Sequence, residues 1–201
     1  DFTKEELLGI IKPSFRVKQI LGWLYHNYAS SYDDMKNIPK ALKEELSQKY
    51  IVDPLKIVNK EVSSDGTIKY LFELQDGKTV EAVWLKMKDE IYDDSGKLIQ
   101  EAKYSICVST QVGCKVGCSF CLTAKGGFTR DLSAGEIVGQ VVALKRDNDH
   151  KHNRKINIVY MGMGEPLDNL DNLAHAIEIF KEEDGLAIGG KRQTVSTSGL
   201  S

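Results

Sequence analysis

The sequence predicts a mixed α/β fold built in three successive parts, and three changes of residue pattern predict it. Apolar residues recur at helical spacing through residues 1–50, short β-like runs parted by turn dipeptides fill 51–104, and a strand, loop, helix order repeats through 105–201. That last order implies parallel strands joined by right-handed crossovers. A chain of 201 residues has room for one or two domains and a sizeable core. It is 41% hydrophobic and 28% charged and has no apolar run near the ~20 residues a bilayer span requires, so it reads as a soluble protein with no membrane partner. The opening "DFTKEELLGI" has no basic stretch ahead of an apolar core, which makes a cytoplasmic location the expectation. The net charge of -2 excludes a globally basic nucleic-acid binder, so any RNA partner must rest on local features.

In the helical domain, residues 1–50, Thr3 and Glu6 fit a capping box, and Val17, Ile20, Leu21 and Leu24 keep helical spacing. Pro39 suits the first turn of a helix that carries Leu42 and Leu46. In the meander region, residues 51–104, the runs "TIKYLFEL" and "TVEAVWLKM" stand between Asp65-Gly66, Asp76-Gly77 and Ser95-Gly96, and "YSICVS" leads onward. Antiparallel pairing is expected there. In the core domain, residues 105–201, Ser133 and Glu136 form a second capping box ahead of Ile137, Val141 and Leu144. The strand "INIVYM", the glycine-rich "GMGEP", a helix with Leu170, Leu173, Ile177 and Phe180 on one face, and a strand at "QTVSTS" follow. Ser201 comes directly after that strand, so the α/β part is expected to be truncated after about its third strand.

Three of the four cysteines, Cys114, Cys118 and Cys121, crowd the stretch "CKVGCSFC". Functional loops of a parallel sheet lie at the carboxyl ends of its strands, so this loop and "GMGEP" are expected to face one cavity. A disulfide framework does not suit so few and so crowded cysteines. Thiols spaced Cys-x3-Cys-x2-Cys suit three corners of a 4Fe-4S cluster with the fourth iron left open, and Gly113 and Gly117 permit tight turns around it. Structural zinc fits less well, because it wants four ligands; Cys107 lies upstream in a strand, and His150 and His152 lie in a polar loop.

The three-cysteine spacing on the loop after the first parallel strand resembles the radical SAM superfamily, whose aromatic habit Phe120 also matches. The resemblance implies a partial radical SAM (β/α) barrel, a 4Fe-4S cluster on Cys114, Cys118 and Cys121, and S-adenosylmethionine chelated at the open iron and cleaved to a 5'-deoxyadenosyl radical. The order "CVSTQVGCKVGCSFCLTAKGGFTRDLSAGEIVGQV", "YMGMGEPLDN", "VSTSG" is similar to the RlmN family of RNA methyltransferases, with Asp131 standing where that family suggests Asn. That resemblance implies methylation of adenine carbon 2 in 23S rRNA, with tRNA as a second substrate, and a reductant protein as partner. It implies that Gly164, Glu165 and Ser196 contact S-adenosylmethionine and that Glu81 accepts a proton. It further implies that Cys107, seven residues before Cys114, is a second working thiol that forms a transient disulfide with a methyl-carrying cysteine near the C-terminus.

Read from the residues alone, Glu81 is a solvent-facing strand residue, Cys107 a small buried hydrophobe and Ser196 a weak signal. No cysteine follows Cys121, so these residues by themselves are expected to lack one reactant. Lys125, Arg130, Lys145, Arg146, Lys151, Arg154, Lys191 and Arg192 are candidate phosphate-steering cations. The competing functions are a Cfr-like carbon-8 methyltransferase and a non-enzymatic RNA-binding module with zinc.

Overall fold

The structure is a computed structural model that describes residues 1–199. Helix α1 (Lys4–Ile10) starts at the expected Thr3–Glu6 capping box, α2 (Phe15–Leu21) continues into a π-helical turn at Gly22–His26, and α3 (Lys40–Ser47) has Pro39 at its N-cap. Val17, Ile20, Leu21, Tyr25 and Leu46 are buried, so these short helices are held by packing rather than by their own propensity.

Strands β1 (Leu55–Val62), β2 (Ile68–Leu74) and β3 (Thr79–Lys88) form the antiparallel meander, and β4 (Ile91–Tyr92) and β5 (Leu98–Gln100) make a separate exposed hairpin. Strand β6 (Lys103–Cys107) follows, then β7 (Gln111–Gly113), α4 (Leu122–Lys125), β8 (Phe128–Asp131), α5 (Ala134–Asp147), β9 (Ile156–Tyr160), α6 (Leu170–Lys181) and β10 (Gln193–Val195). The main sheet runs β1-β2-β3-β6-β9-β10. β6 pairs antiparallel with β3 (Val83 opposite Cys107) and parallel with β9 (Cys107 opposite Val159), and β9 pairs parallel with β10. The meander and the parallel strands are therefore one mixed sheet, which does not close into a barrel.

Side chains alternate across this sheet with period two. Tyr70, Phe72, Val80, Ala82, Trp84, Ile106, Ile158 and Tyr160 are buried and share one core cluster with Ile137, Val141 and Leu144 of α5 and Leu173, Ala176, Ile179 and Phe180 of α6. Leu71, Glu81, Val83, Cys107 and Val159 alternate with them and stay partly open, while Asn157 and Thr194 are exposed. The sheet is thus covered on one face and open on the other.

Three expectations are corrected. On α6 the buried face is Leu173, Ala176, Ile179 and Phe180, whereas Leu170, the first residue of the helix, is exposed and Ile177 is only partly covered. His150 does not lie in a solvated loop: it is buried with its ring edge-on to Trp84 and Tyr104 at 5.3 and 5.8 Å. Lys145 is buried too, with its ammonium 5.6 Å from the Tyr28 ring centroid and its pKa lowered by desolvation to about 8. Among the described residues, no helix is long and apolar enough to cross a membrane.

Ile106 is fully buried in the strand that both halves of the sheet share. Ile106→Ala is expected to cost about 2–5 kcal/mol of unfolding free energy in urea titration, and a cost below about 1 kcal/mol would contradict a shared core.

Candidate functional site

The loops that leave β6, β9 and β10 emerge at one end of the sheet and bind each other through main chain and buried polar side chains. Gly162 N–H donates to Val108 C=O at 3.0 Å, and Thr110 and Gln111 N–H both donate to Met163 C=O, at 2.8 and 3.2 Å. The approach is close enough to require glycine: a Cβ on Gly162 would lie 2.7 Å from both Val108 C=O and Ser109 Oγ, and one on Gly164 2.6 Å from Gln111 Cβ. Gly164 also has φ +103°.

Ser109, Gln111, Gln140 and Asn169 are the fully satisfied polar residues inside this junction. Ser109 Oγ donates to Glu81 C=O at 2.6 Å and accepts Met163 N–H at 2.8 Å. Gln140 of α5 accepts Ser109 N–H and donates to Ser109 C=O. Asn169 Nδ2 donates to Thr110 and Leu132 C=O at 2.8 Å each. These residues were not singled out from sequence. The available signal is the polar run "STQ" directly after an apolar strand, which needs buried partners.

Glu165 lies at the end of the β9 loop, and its carboxylate is buried and engaged within the chain. Oε1 accepts Leu167 N–H at 3.0 Å, capping the 3-10 turn, and Oε2 accepts Ser198 N–H and Oγ–H at 2.8 and 2.9 Å. Burial opposes its charge, but these donors together with the Thr197 hydroxyl hold its pKa below the usual carboxylate range. The carboxylate thereby ties the β9 loop to the β10 loop. Ser196 stands at the start of that last loop, directly after Val195, and its side chain is exposed.

Cys107 ends β6 on the open face of the sheet. Burial raises its thiol pKa, and a hydrogen bond from Met161 N–H partly offsets that. Glu81 is two residues beyond Val83, the register partner of Cys107, and so shares that face at the same end. Its carboxylate is half-exposed and 3.3 Å from Lys69 Nζ.

Cys114, Cys118 and Cys121 occupy the loop between β7 and α4, and all three are partly exposed. Cys114 N–H donates to Gly127 C=O at 3.0 Å, which anchors the loop start, and Gly117 has φ +71°. Ala124 and Thr123 N–H groups point at Cys121 and lower its thiol pKa. Phe120 is 92% exposed and Leu122 80%, so the aromatic beside the thiols is not packed into the core. All four cysteines are free. No three His, Cys, Asp or Glu side chains converge as a metal-ligand group among the described residues.

The steering cations are partly corrected. Lys145 is buried, Arg130 is held by Glu136 and Asp76, Arg146 is bonded to Asp53, and Lys151 pairs with Asp149. Charges spent on neighbouring carboxylates attract phosphate weakly.

The family description "Ribosomal RNA large subunit methyltransferase N-terminal domain" matches residues 5–52, and "Radical SAM superfamily" matches residues 108–201. The chain is 80% identical over 201 residues to the dual-specificity RNA methyltransferase RlmN of Sulfurimonas denitrificans, covering 100% of this chain and 56% of that protein. It is 62% identical over 200 residues to the protein of that name in Aliarcobacter butzleri, with the same coverages of 100% and 56%. A solved radical SAM methyltransferase from Sphaerobacter thermophilus superposes with a TM-score of 0.81 at 41% identity, over 98% of this chain and 54% of that one. The chain thus spans about half the length of the relatives it matches.

Gly113 opens the cysteine loop at φ +80°, and a Cβ there would lie 1.8 Å from Gly127 C=O. Gly113→Ala must break the β7–β8 pairing that anchors Cys114. The expected loss is about 3 kcal/mol or more by urea unfolding, and an unchanged midpoint would contradict this geometry.

Proposed function

We propose, from its similarity to the RlmN family of radical SAM proteins, that the chain carries the cluster-binding and S-adenosylmethionine-binding part of an RNA methyltransferase acting on carbon 2 of adenine. One observation carries this reading: three free thiols lie on the loop between β7 and α4, which Lys115 ties to Asp168 in the turn that begins at Glu165, while Cys107 and Glu81 share the open face at that end of the sheet. The relatives' printed name, dual-specificity RNA methyltransferase, supports two kinds of RNA substrate, which we assign as 23S rRNA and tRNA. A reductant protein and a cytoplasmic location complete the proposal.

The donor set suits the group this family uses, and the three thiols, which do not converge among the described residues, would close around it on binding. Soft thiolates are the ligands of iron–sulfur clusters, and Cys114, Cys118 and Cys121 are reduced, partly exposed and on one loop. They would hold a 4Fe-4S cluster by three corners. When bound, such a cluster supplies one electron to the sulfonium of S-adenosylmethionine and so opens radical chemistry at its 5' carbon. Gly164, the Glu165 loop and Ser196 would seat the S-adenosylmethionine. The buried carboxylate of Glu165 already takes donors from Leu167 and Ser198, so it would order the loop that binds the amino group as well as present charge to it.

Carbon 2 of adenine is electron-poor and carries a non-acidic hydrogen, so polar methyl transfer has no nucleophile to use, and a radical route supplies what the protein cannot. The base must leave its stack to reach a buried site, which costs a few kcal/mol and is least costly in loops. On the open face, Glu81 would take the carbon 2 proton from the adduct in which a methylene joins the base to sulfur; the Cys107 thiol would bond to that sulfur as the sulfur–methylene bond breaks, its proton would complete the methyl group, and the surplus electron would pass to a one-electron acceptor of the iron–sulfur class, leaving a transient disulfide. Release of the RNA requires that second thiol.

After anaerobic reconstitution of the full protein, about four irons and four sulfides per chain are expected. Cys114, Cys118 and Cys121 changed together to Ala should abolish both, whereas Cys107→Ala should keep the iron and accumulate a nuclease-sensitive protein–RNA adduct. Stoichiometric zinc without iron would end the reading. Multiple turnovers by Cys107→Ala with no adduct would remove the assigned role of that thiol.

A further inference from the structure

Residues 115–120 of the cysteine loop have little to hold them. Among the described residues, their one polar side-chain tie to the rest of the chain runs through Lys115, the neighbour of Cys114. Its ammonium is 2.8 Å from Asp168 Oδ2 and 4.4 Å from the centroid of the Phe128 ring. The acceptor is not a free surface carboxylate. Asp168 belongs to the 3-10 turn that begins at Glu165, and the same Oδ2 accepts Gln111 Nε2–H at 2.8 Å. Gln111 is fully buried; its other amide hydrogen goes to Asp131 Oδ1 at 2.8 Å, and its carbonyl accepts Glu165 N–H at 2.9 Å. One side-chain amide therefore joins β8, the turn after β9 and the Glu165 backbone, and Lys115 extends that network into the cysteine loop. Lys115 holds the Asp168 carboxyl below the usual range, with Gln111 adding to it.

We propose that Lys115, Asp168 and Gln111 form a brace that sets the seat of the cysteine loop against the Glu165 loop, and that Lys115 is a positioning residue for S-adenosylmethionine. The inference rests on the function proposed above. S-adenosylmethionine has to touch both loops at once, so a loop that drifts relative to Glu165 lowers its affinity without removing any ligand atom. An ordinary solvated ion pair, by contrast, contributes little and changes nothing downstream. Asp168 is distinguished from such a pair by its second, buried donor and by its place in the turn that starts at Glu165.

The test is a charge-swap cycle on the full, anaerobically reconstituted protein, with S-adenosylmethionine affinity read by equilibrium dialysis and iron content read in parallel. Lys115→Glu and Asp168→Lys should each weaken binding by about fivefold or more, since each places like charges together, while the iron content stays at the parent level. The double variant should bind more tightly than either single one, a coupling that loss of local structure does not give. Lys115→Met, which leaves the buried contacts of Gln111 in place, should weaken binding and flatten the dependence of affinity on salt between about 0.05 and 0.5 M. Single variants that bind as the parent does, or a double variant no better than the worse single, would overturn the brace. A parent protein that holds iron but binds no S-adenosylmethionine would overturn the proposed function and the brace with it.

Discussion

Everything at the candidate site depends on the double pairing of β6. Its edge toward β3 is antiparallel and its edge toward β9 is parallel, and both ladders include Cys107. Those two pairings bring Glu81 on β3, Cys107 on β6 and the glycine-rich loop after β9 to one end of one sheet, although they come from distant parts of the chain. The same two pairings keep Cys107 and Glu81 on the open face while Ile106 and Trp84 sink into the core beneath α5 and α6.

A second constraint follows from the loops themselves. Irregular backbone at a strand end must find partners for its N–H and C=O groups, and here the loops satisfy one another. Met163 C=O takes two donors from the β6 loop, Ser109 joins β3 to the β9 loop, Asn169 takes two carbonyls, and Glu165 reaches the β10 loop. Glycine is present where the backbones meet, because Gly113, Gly162 and Gly164 have no room for a side chain. The result is a rigid floor beneath a cysteine loop that has few contacts of its own. That contrast suits a site in which the floor fixes orientation and the thiols wait for a bulky ligand.

Much of this was legible in the sequence, and the reasons differ by residue. Ser133 with Glu136 and Thr3 with Glu6 act locally, so both capping boxes could be read from spacing alone. The turn dipeptides placed the meander strands for the same reason. The continuity of the sheet was not legible, because "KYSIC" carries no mark of whether its neighbours run parallel or antiparallel. The buried polar staples Ser109, Gln111 and Asn169 were missed because their partners are set by tertiary approach, and His150 and Lys145 were misjudged because their polar type outweighed the aromatic neighbours that bury them. On α6 Leu173 and Phe180 are buried as expected and Ile177 packs against the core, while Leu170 at the first position of the helix is exposed.

In the function proposed here, the loop bearing Cys114, Cys118 and Cys121 and the loop ending in Glu165 would form one seat, in which S-adenosylmethionine would meet an iron that has no protein ligand. The most direct measurement is electron–nuclear double resonance on the reduced, reconstituted full protein with S-adenosylmethionine carrying 17O in its carboxylate. If the two loops form this seat, 17O hyperfine coupling is expected on the cluster signal, because the open iron would bind that carboxylate. A cluster signal with no 17O coupling under saturating S-adenosylmethionine would contradict it.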